Sequence, residues 1–138
     1  MTKQTLDVAG VIAAAEDPAA GAIASFVGTV RRSSSLRIPT ERVVRALFYE
    51  AHPVLAEKRL REIAFHAGEQ WSLVAVVIAH RFGRCELGEA TVAIACGAPH
   101  RKEAFESCRW IIEELKTSVP IWKCEVYDDG ATWVGMGS

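Results

Sequence analysis

Three segments of the chain repeat apolar residues at helical spacing. Residues 6–16 are rich in alanine and end just before an Asp-Pro step, which predicts a short helix because the residue before a proline avoids helical conformations. Apolar residues recur every three or four positions from Pro53 to Gly68, and again from His100 to Pro120. This period is typical of helices that pack one face on a core.

The helix expected after His100 has the clearest pattern. Charged residues, mainly glutamates, avoid one side of it and form its solvated face. The apolar stripe on the other side consists of Ala104, Phe105, Cys108, Ile111, Ile112 and Leu115.

β-Branched and aromatic residues mark the strands. The near-continuous apolar run from Leu73 to His80 predicts a strand buried on both faces. Residues 121–127 alternate, with Lys123 on the face opposite Cys124, as in a half-buried strand, and Gly28 indicates a bulge. The predicted strands are residues 21–31, 43–50, 73–80, 90–96, 121–127 and 131–134, with 85–89 a short strand or a turn.

The order of these elements does not alternate strictly between strand and helix, which favours an α+β fold over a doubly wound sheet. The chain has 138 residues, the commonest size for one domain, so we expect residues 1–138 to form a single domain. The Arg- and Ser-rich segment 31–42 is the most loop-like part of the chain.

Composition excludes several classes of protein. Half of the residues are hydrophobic, which excludes a disordered chain. The net charge of −1 gives no sign of a general nucleic-acid or membrane-surface binder. No signal peptide or membrane-length apolar stretch is evident. The four cysteines lack zinc-site spacing, and we interpret them as reduced thiols of a cytoplasmic protein.

Three groups of residues are candidates for chemistry. Arg31 follows a strand, and His100-Arg101 begin a helix, where free backbone N–H groups favour anions. Lys116 and Lys123, two of only five lysines, lie near one helix–strand junction, where proximity and burial lower the pKa of an amine. Each group is also compatible with an ordinary solvated surface.

Several short motifs follow one another along residues 6–134. They are Gly21-Ala22, Phe26–Arg31, Tyr49–His52, His80–Gly83 with Gly88-Glu89, His100-Arg101 with Ala104-Phe105, Leu115-Lys116, Val119–Lys123 with Glu125, and Trp133-Val134. Together these motifs resemble the catalytic large subunit of molybdopterin synthase.

The resemblance implies a sulfurtransferase that converts a cyclic pyranopterin monophosphate into molybdopterin. The two dithiolene sulfurs would come from two successive molecules of a small ubiquitin-like carrier subunit, each with a C-terminal thiocarboxylate on a Gly-Gly tail that inserts into the large subunit. The implied fold is an α/β hammerhead with an added antiparallel β subdomain. The implied assembly is a large-subunit homodimer within a heterotetramer, and no metal or redox cofactor is expected.

The resemblance also assigns residues. It implies that Lys116 and Lys123 are catalytic. The substrate-binding positions that it implies are Arg31, His100, Arg101, Lys116, Lys123, Cys124 and Glu125, although Cys124 stands where a basic residue is usual.

Helix geometry separates two residues that the resemblance assigns to the same substrate. Arg101 and Lys116 are fifteen residues apart on one predicted helix, about 22 Å along its axis, and helical side chains tilt in one direction. A two-fold dimer in which His100 and Arg101 complete the partner's pocket resolves the difficulty. Two alternatives remain: a catalytically silent module that binds a phosphate or a partner, and a sulfur transferase that uses Cys124 as a persulfide carrier.

Overall fold

The computed structural model describes residues 1–33 and 43–136, so most of the predicted 31–42 loop lies outside the described residues. The helices are α1 (Val8–Ala14), α2 (Pro53–Trp71) and α3 (Arg101–Ser118). The strands are β1 (Ala22–Thr29), β2 (Ala46–Ala51), β3 (Ala75–His80), β4 (Gly83–Glu86), β5 (Ala90–Ala98), β6 (Ile121–Tyr127) and β7 (Gly130–Met136). The predicted α+β class is confirmed. Of the segment 85–89, left open between strand and turn, the first two residues end β4 and the next two form a turn.

Two antiparallel sheets organise the described chain. The first has the strand order β1-β5-β3, and the second has the order β4-β2-β6-β7. Helix α3 packs on β1 and β5 and against α2, while α1 packs on β5 and β3. Neighbouring residues of β5 point to opposite faces: Gly97 lies against the end of α1, and the Cys96 thiol meets that of Cys108 on α3. The central strand is therefore covered on both faces.

The expectation that residues 73–80 form a strand buried on both faces is wrong. Strand β3 lies at the edge of its sheet, and its residues are only half-buried apart from His80. Strand β5 takes the fully buried place, because it pairs with β1 on one side and β3 on the other and carries helices on both faces. An apolar run alone does not show which strand occupies the centre of a sheet.

The apolar stripe of α3 is confirmed with one exception. Ala104, Cys108 and Leu115 are buried, as are both isoleucines. Phe105, however, is 67% exposed. Ser107 is buried in the stripe instead, and its hydroxyl donates a hydrogen bond to the Ala104 carbonyl oxygen at 3.1 Å. That bond lets a polar side chain sit on the core-facing side of the helix.

Helix α2 extends three residues beyond the predicted end at Gly68. Pro53 occupies its first turn, as expected, and the His52 imidazole accepts a hydrogen bond from the Leu55 N–H at 3.3 Å. The helix ends at Ser72, which adopts a left-handed conformation. The end expected at Gly68 is therefore wrong, because this glycine lies inside the helix.

The described residues contain no helix that is long and apolar enough to cross a membrane. All four cysteines are free and buried, which confirms the interpretation of these residues as thiols. Cys96, Cys108 and Cys85 belong to the hydrophobic core, where a thiol packs as a small apolar group.

Two glycines provide a matched test of the packing at β5. A Cβ atom on Gly97 would lie 2.7 Å from the Ala15 carbonyl oxygen, whereas one on Gly68 would meet nothing within 4 Å. We expect Gly97→Ala to lower the free energy of unfolding by about 1–3 kcal/mol, because helix α1 must shift. We expect Gly68→Ala to raise it by about 0.5–1 kcal/mol through helix propensity. Chemical denaturation followed by circular dichroism measures both; equal effects would contradict the close approach.

Candidate functional site

A cavity of about 400 Å³ opens between the two sheets at the carboxyl end of α3. Its apolar wall comes from the first sheet and from Val44 and Leu47. The polar and charged residues around it are Thr29, Arg31, Ser33, Tyr49, Thr91, Lys116, Lys123 and Glu125. Residues from distant parts of the sequence thus surround one space.

A bulge in β1 brings Arg31 to the cavity. The pairing of β1 with β5 shifts register between Gly28 and Thr29, which confirms the bulge predicted at Gly28. A Cβ atom there would lie 2.8 Å from Val92 Cγ1, so the close approach requires glycine. Beyond the bulge, the Val30 N–H donates to the Glu89 carbonyl oxygen at 3.0 Å. The chain is thereby fixed one residue before Arg31.

The junction between α3 and β6 positions both lysines. The Val119 N–H donates to the Leu115 carbonyl oxygen at 3.2 Å, and the Ile121 N–H donates to the Val119 carbonyl oxygen at 2.8 Å. Leu115, Val119 and Ile121 are fully buried. This anchored turn holds the last turn of α3, with Lys116, beside the start of β6, with Lys123.

The surroundings of Lys123 alter its pKa. Burial lowers its pKa from the usual value, the nearby Lys116 and Arg31 lower it further, and the charge of Glu125 offsets part of this effect. The lowered pKa predicted for a lysine at this junction is confirmed for Lys123. An amine with a lowered pKa exchanges protons more readily near neutral pH.

A buried carboxylate balances the cations. Glu125 is 1% exposed, and the Tyr127 hydroxyl donates a hydrogen bond to it. Burial raises the pKa of Tyr49, the residue of β2 that is in register with Lys123, to about 12, so its phenol stays neutral. Neither Tyr49 nor Tyr127 is among the site residues predicted from the sequence. The alternation of β6, which puts residues 123, 125 and 127 on one face, is the signal that could have identified Tyr127.

The structure leaves Cys124 outside the cavity. Cys124 lies on the face of β6 opposite Lys123, as predicted, in register with Phe48 of β2 and Trp133 of β7. The half-buried pattern predicted for this strand is wrong, because residues 125 and 127 on the other face are buried as well. The Cys124 side chain is buried there, and burial raises the pKa of its thiol. Its position therefore does not favour the substrate contact expected from the sequence.

His100 and Arg101 also lie away from this cavity. Both are exposed at the amino end of α3, which is one continuous helix of 18 residues. Arg101 is therefore about 22 Å from Lys116 along the helix axis. A single chain brings together Arg31, Lys116, Lys123 and Glu125, but not His100 or Arg101.

Within the parts of the chain described, no group of three or more His, Cys, Asp or Glu side chains could hold a metal ion. The groups that the described residues bring to the cavity are two amines, a guanidinium group, a carboxylate, a phenol and aliphatic hydroxyls.

Comparison with known proteins gives consistent matches. The family model described as MoaE protein matches residues 1–118. A molybdopterin synthase catalytic subunit from Oryza sativa subsp. indica is 48% identical over 93% of this chain, and the chain spans only 64% of that protein's length. The catalytic subunit from Bacillus subtilis is 40% identical over 98% of the chain and 83% of its own length.

A crystal structure of molybdopterin synthase from Staphylococcus aureus has the same fold. It superposes with a TM-score of 0.90 at 31% identity, covering 97% of this chain and 94% of the other. A MoaE protein structure from Burkholderia ambifaria superposes with a TM-score of 0.80 at 38% identity, over 99% of this chain and 88% of that one.

The electrostatic coupling between the lysines can be measured directly. We expect Lys116→Met to raise the pKa of Lys123, because it removes one of the positive charges that disfavour protonation. The matched control is Lys58→Met, which removes an exposed lysine of α2 outside the cavity. The pH dependence of acylation at Lys123, followed by mass spectrometry, reports the change. An unchanged Lys123 profile in Lys116→Met would show that the two amines do not interact.

Proposed function

The chain belongs to the MoaE protein family, and from this membership we propose that it is the catalytic subunit of a molybdopterin synthase. The reaction is the conversion of a cyclic pyranopterin monophosphate into molybdopterin. Two successive molecules of a small ubiquitin-like carrier subunit each supply one sulfur from a C-terminal thiocarboxylate, which is left as a carboxylate. The observation that carries this proposal is the convergence of Arg31, Lys116 and Lys123 on one cavity.

The cations of the cavity suit both reactants. The substrate carries a phosphate and the carrier tail ends in an anionic thiocarboxylate, and guanidinium and ammonium groups form charge-assisted hydrogen bonds with such anions. Arg31 and Lys116 are exposed, so they can meet a ligand that enters from solvent. We assign Arg31 to substrate binding, and we assign Lys116 to holding the carrier's terminal group near the carbon that it attacks.

We assign the proton transfers of the reaction to Lys123. Formation of each carbon–sulfur bond requires proton movement at the pterin and stabilisation of developing negative charge. The half-buried Lys123 amine has a lowered pKa, so it releases a proton more readily than an ordinary lysine. Glu125, on the same face of β6, balances the charge of the lysines.

The assembly proposed is a homodimer with a carrier at each end, a heterotetramer. Since His100 and Arg101 lie about 22 Å from Lys116 along α3, they serve the substrate only if they reach into the cavity of the partner subunit. A two-fold axis would create two such shared sites. The cytoplasmic location and the single-domain organisation expected from the sequence stay predictions.

Substitution of the two lysines tests the activity. In a reconstituted assay with thiocarboxylated carrier and pyranopterin monophosphate, we expect Lys116→Ala and Lys123→Ala each to reduce molybdopterin formation on the order of 10²-fold or more. Circular dichroism should show an unchanged fold, and Lys58→Ala is the control for loss of a lysine outside the cavity.

The same assay separates the alternatives. A silent binding module would form no molybdopterin even as the unmodified protein. A persulfide mechanism would require Cys124, so Cys124→Ser would abolish turnover. If Lys116 and Lys123 carry the reaction instead, Cys124→Ser should retain most of the turnover. Normal turnover by a folded lysine variant would remove that lysine from the mechanism.

Subunit exchange tests the shared site. We expect Arg101→Ala and Lys116→Ala proteins to be inactive alone and to recover activity when they are mixed under conditions that exchange subunits. Each mixed dimer then contains one cavity with both residues intact. Recovery is measured as molybdopterin formed per mixed dimer, and exchange is verified by native mass spectrometry with one protein isotope-labelled. Verified exchange without recovery would mean that the site lies within one chain.

A further inference from the structure

Three residues of β6 form a continuous row on the face that meets the cavity. Lys123, Glu125 and Tyr127 alternate with residues of the opposite face, so Glu125 has Lys123 on one side and Tyr127 on the other. Lys123 is half-buried, while Glu125 and Tyr127 are 1% and 5% exposed. A carboxylate in this row is therefore within reach of an amine in one direction and a phenol in the other.

The phenol engages the carboxylate directly. The Tyr127 hydroxyl donates a hydrogen bond to Glu125 Oε2. Hydrogen bonds to charged acceptors are stronger than those between neutral groups, and burial from water strengthens them further. The bond directs one carboxylate oxygen toward Tyr127, which is the direction away from Lys123.

We propose that Tyr127 is a positioning residue of this site: its hydroxyl holds the Glu125 carboxylate at the Tyr127 end of the row and so prevents it from pairing closely with the Lys123 ammonium group. The inference rests on the proposed function for its consequence, because a lysine locked in a tight ion pair is a poor proton-transfer group. The contact itself is a property of the folded chain alone.

The charges around Lys123 agree with this arrangement. Among the described residues, the groups that face it are Glu125 from its own strand, Lys116 from α3, Arg31 from the segment after β1, and the neutral phenol of Tyr49 from β2. Glu125 raises the pKa of Lys123, but burial and the two cations outweigh it, and the pKa remains below the usual value. A carboxylate that approached Lys123 more closely would shift this balance toward the protonated amine.

Tyr127→Phe tests the positioning role, because phenylalanine keeps the buried ring and removes only the hydroxyl. We expect the titration midpoint of Lys123, followed by NMR on protein with ¹³C-labelled lysine, to move to higher pH. The matched control is Tyr49→Phe. It removes another buried hydroxyl at the same cavity, one whose partner is Thr91, and the Lys123 midpoint should stay where it is.

A double-mutant cycle identifies the path of the effect. Glu125→Gln should lower the Lys123 midpoint, and adding Tyr127→Phe to Glu125→Gln should change it no further. Thermal denaturation checks that each variant is folded. A midpoint that stays or falls in folded Tyr127→Phe, or a shift that persists when Tyr127→Phe is combined with Glu125→Gln, would overturn the proposal.

The titration is done without substrate or carrier, so its result is independent of the proposed function. If the enzyme makes molybdopterin, the limb of its pH–rate profile that reports Lys123 should move in Tyr127→Phe in the same direction as the NMR midpoint. A shifted midpoint in a protein without synthase activity would contradict the proposed function and keep the positioning role. Active protein with an unshifted Lys123 midpoint would support the proposed function and contradict the positioning role.

Discussion

The collection of two lysines and an arginine at one cavity is the constraint on which the arrangement of this molecule depends. Like charges repel, and the repulsion is stronger at the half-buried Lys123 than it would be in bulk water, so such a cluster needs a counter-charge and rigid support. The buried carboxylate of Glu125 supplies the counter-charge, and Tyr127 satisfies one of its oxygens. The helices and strands that carry the three cations are packed in the core. The free energy of that packing offsets the repulsion among the cations.

The core explains how the cations are kept in place. Strand β5 is buried along its length and pairs with both neighbours, and α3 packs on this sheet through a stripe of buried aliphatic residues. The turn after α3 is anchored by Val119 and Ile121, which are fully buried. Lys116 and Lys123 stand on either side of that turn, so their separation is set by core packing and not by contacts of their own.

Helix α3 also separates two groups of the residues that we propose bind substrate. Its carboxyl end contributes Lys116 to the cavity, while its amino end carries His100 and Arg101 in solvent. A continuous helix of 18 residues keeps these ends about 25 Å apart. A family enzyme that needs all of these residues at one substrate can meet that need through symmetry, with the amino end of α3 from one subunit serving the cavity of another.

The sequence by itself determined the elements and the chemical groups of this protein. Helical spacing predicted α3 with only Phe105 misjudged, the alternation of β6 put Lys123 opposite Cys124, and the ordered motifs identified the family. What only the tertiary structure decided was which elements are neighbours. Strand pairing decided that β3 lies at the edge of its sheet, that Arg31 lies near the lysines, and that Cys124 lies outside the cavity. The length of α3 decided that His100 and Arg101 lie outside it as well. Periodicity reports which face of an element is apolar, but contacts between distant segments are selected by packing of the whole chain, and no local pattern contains them.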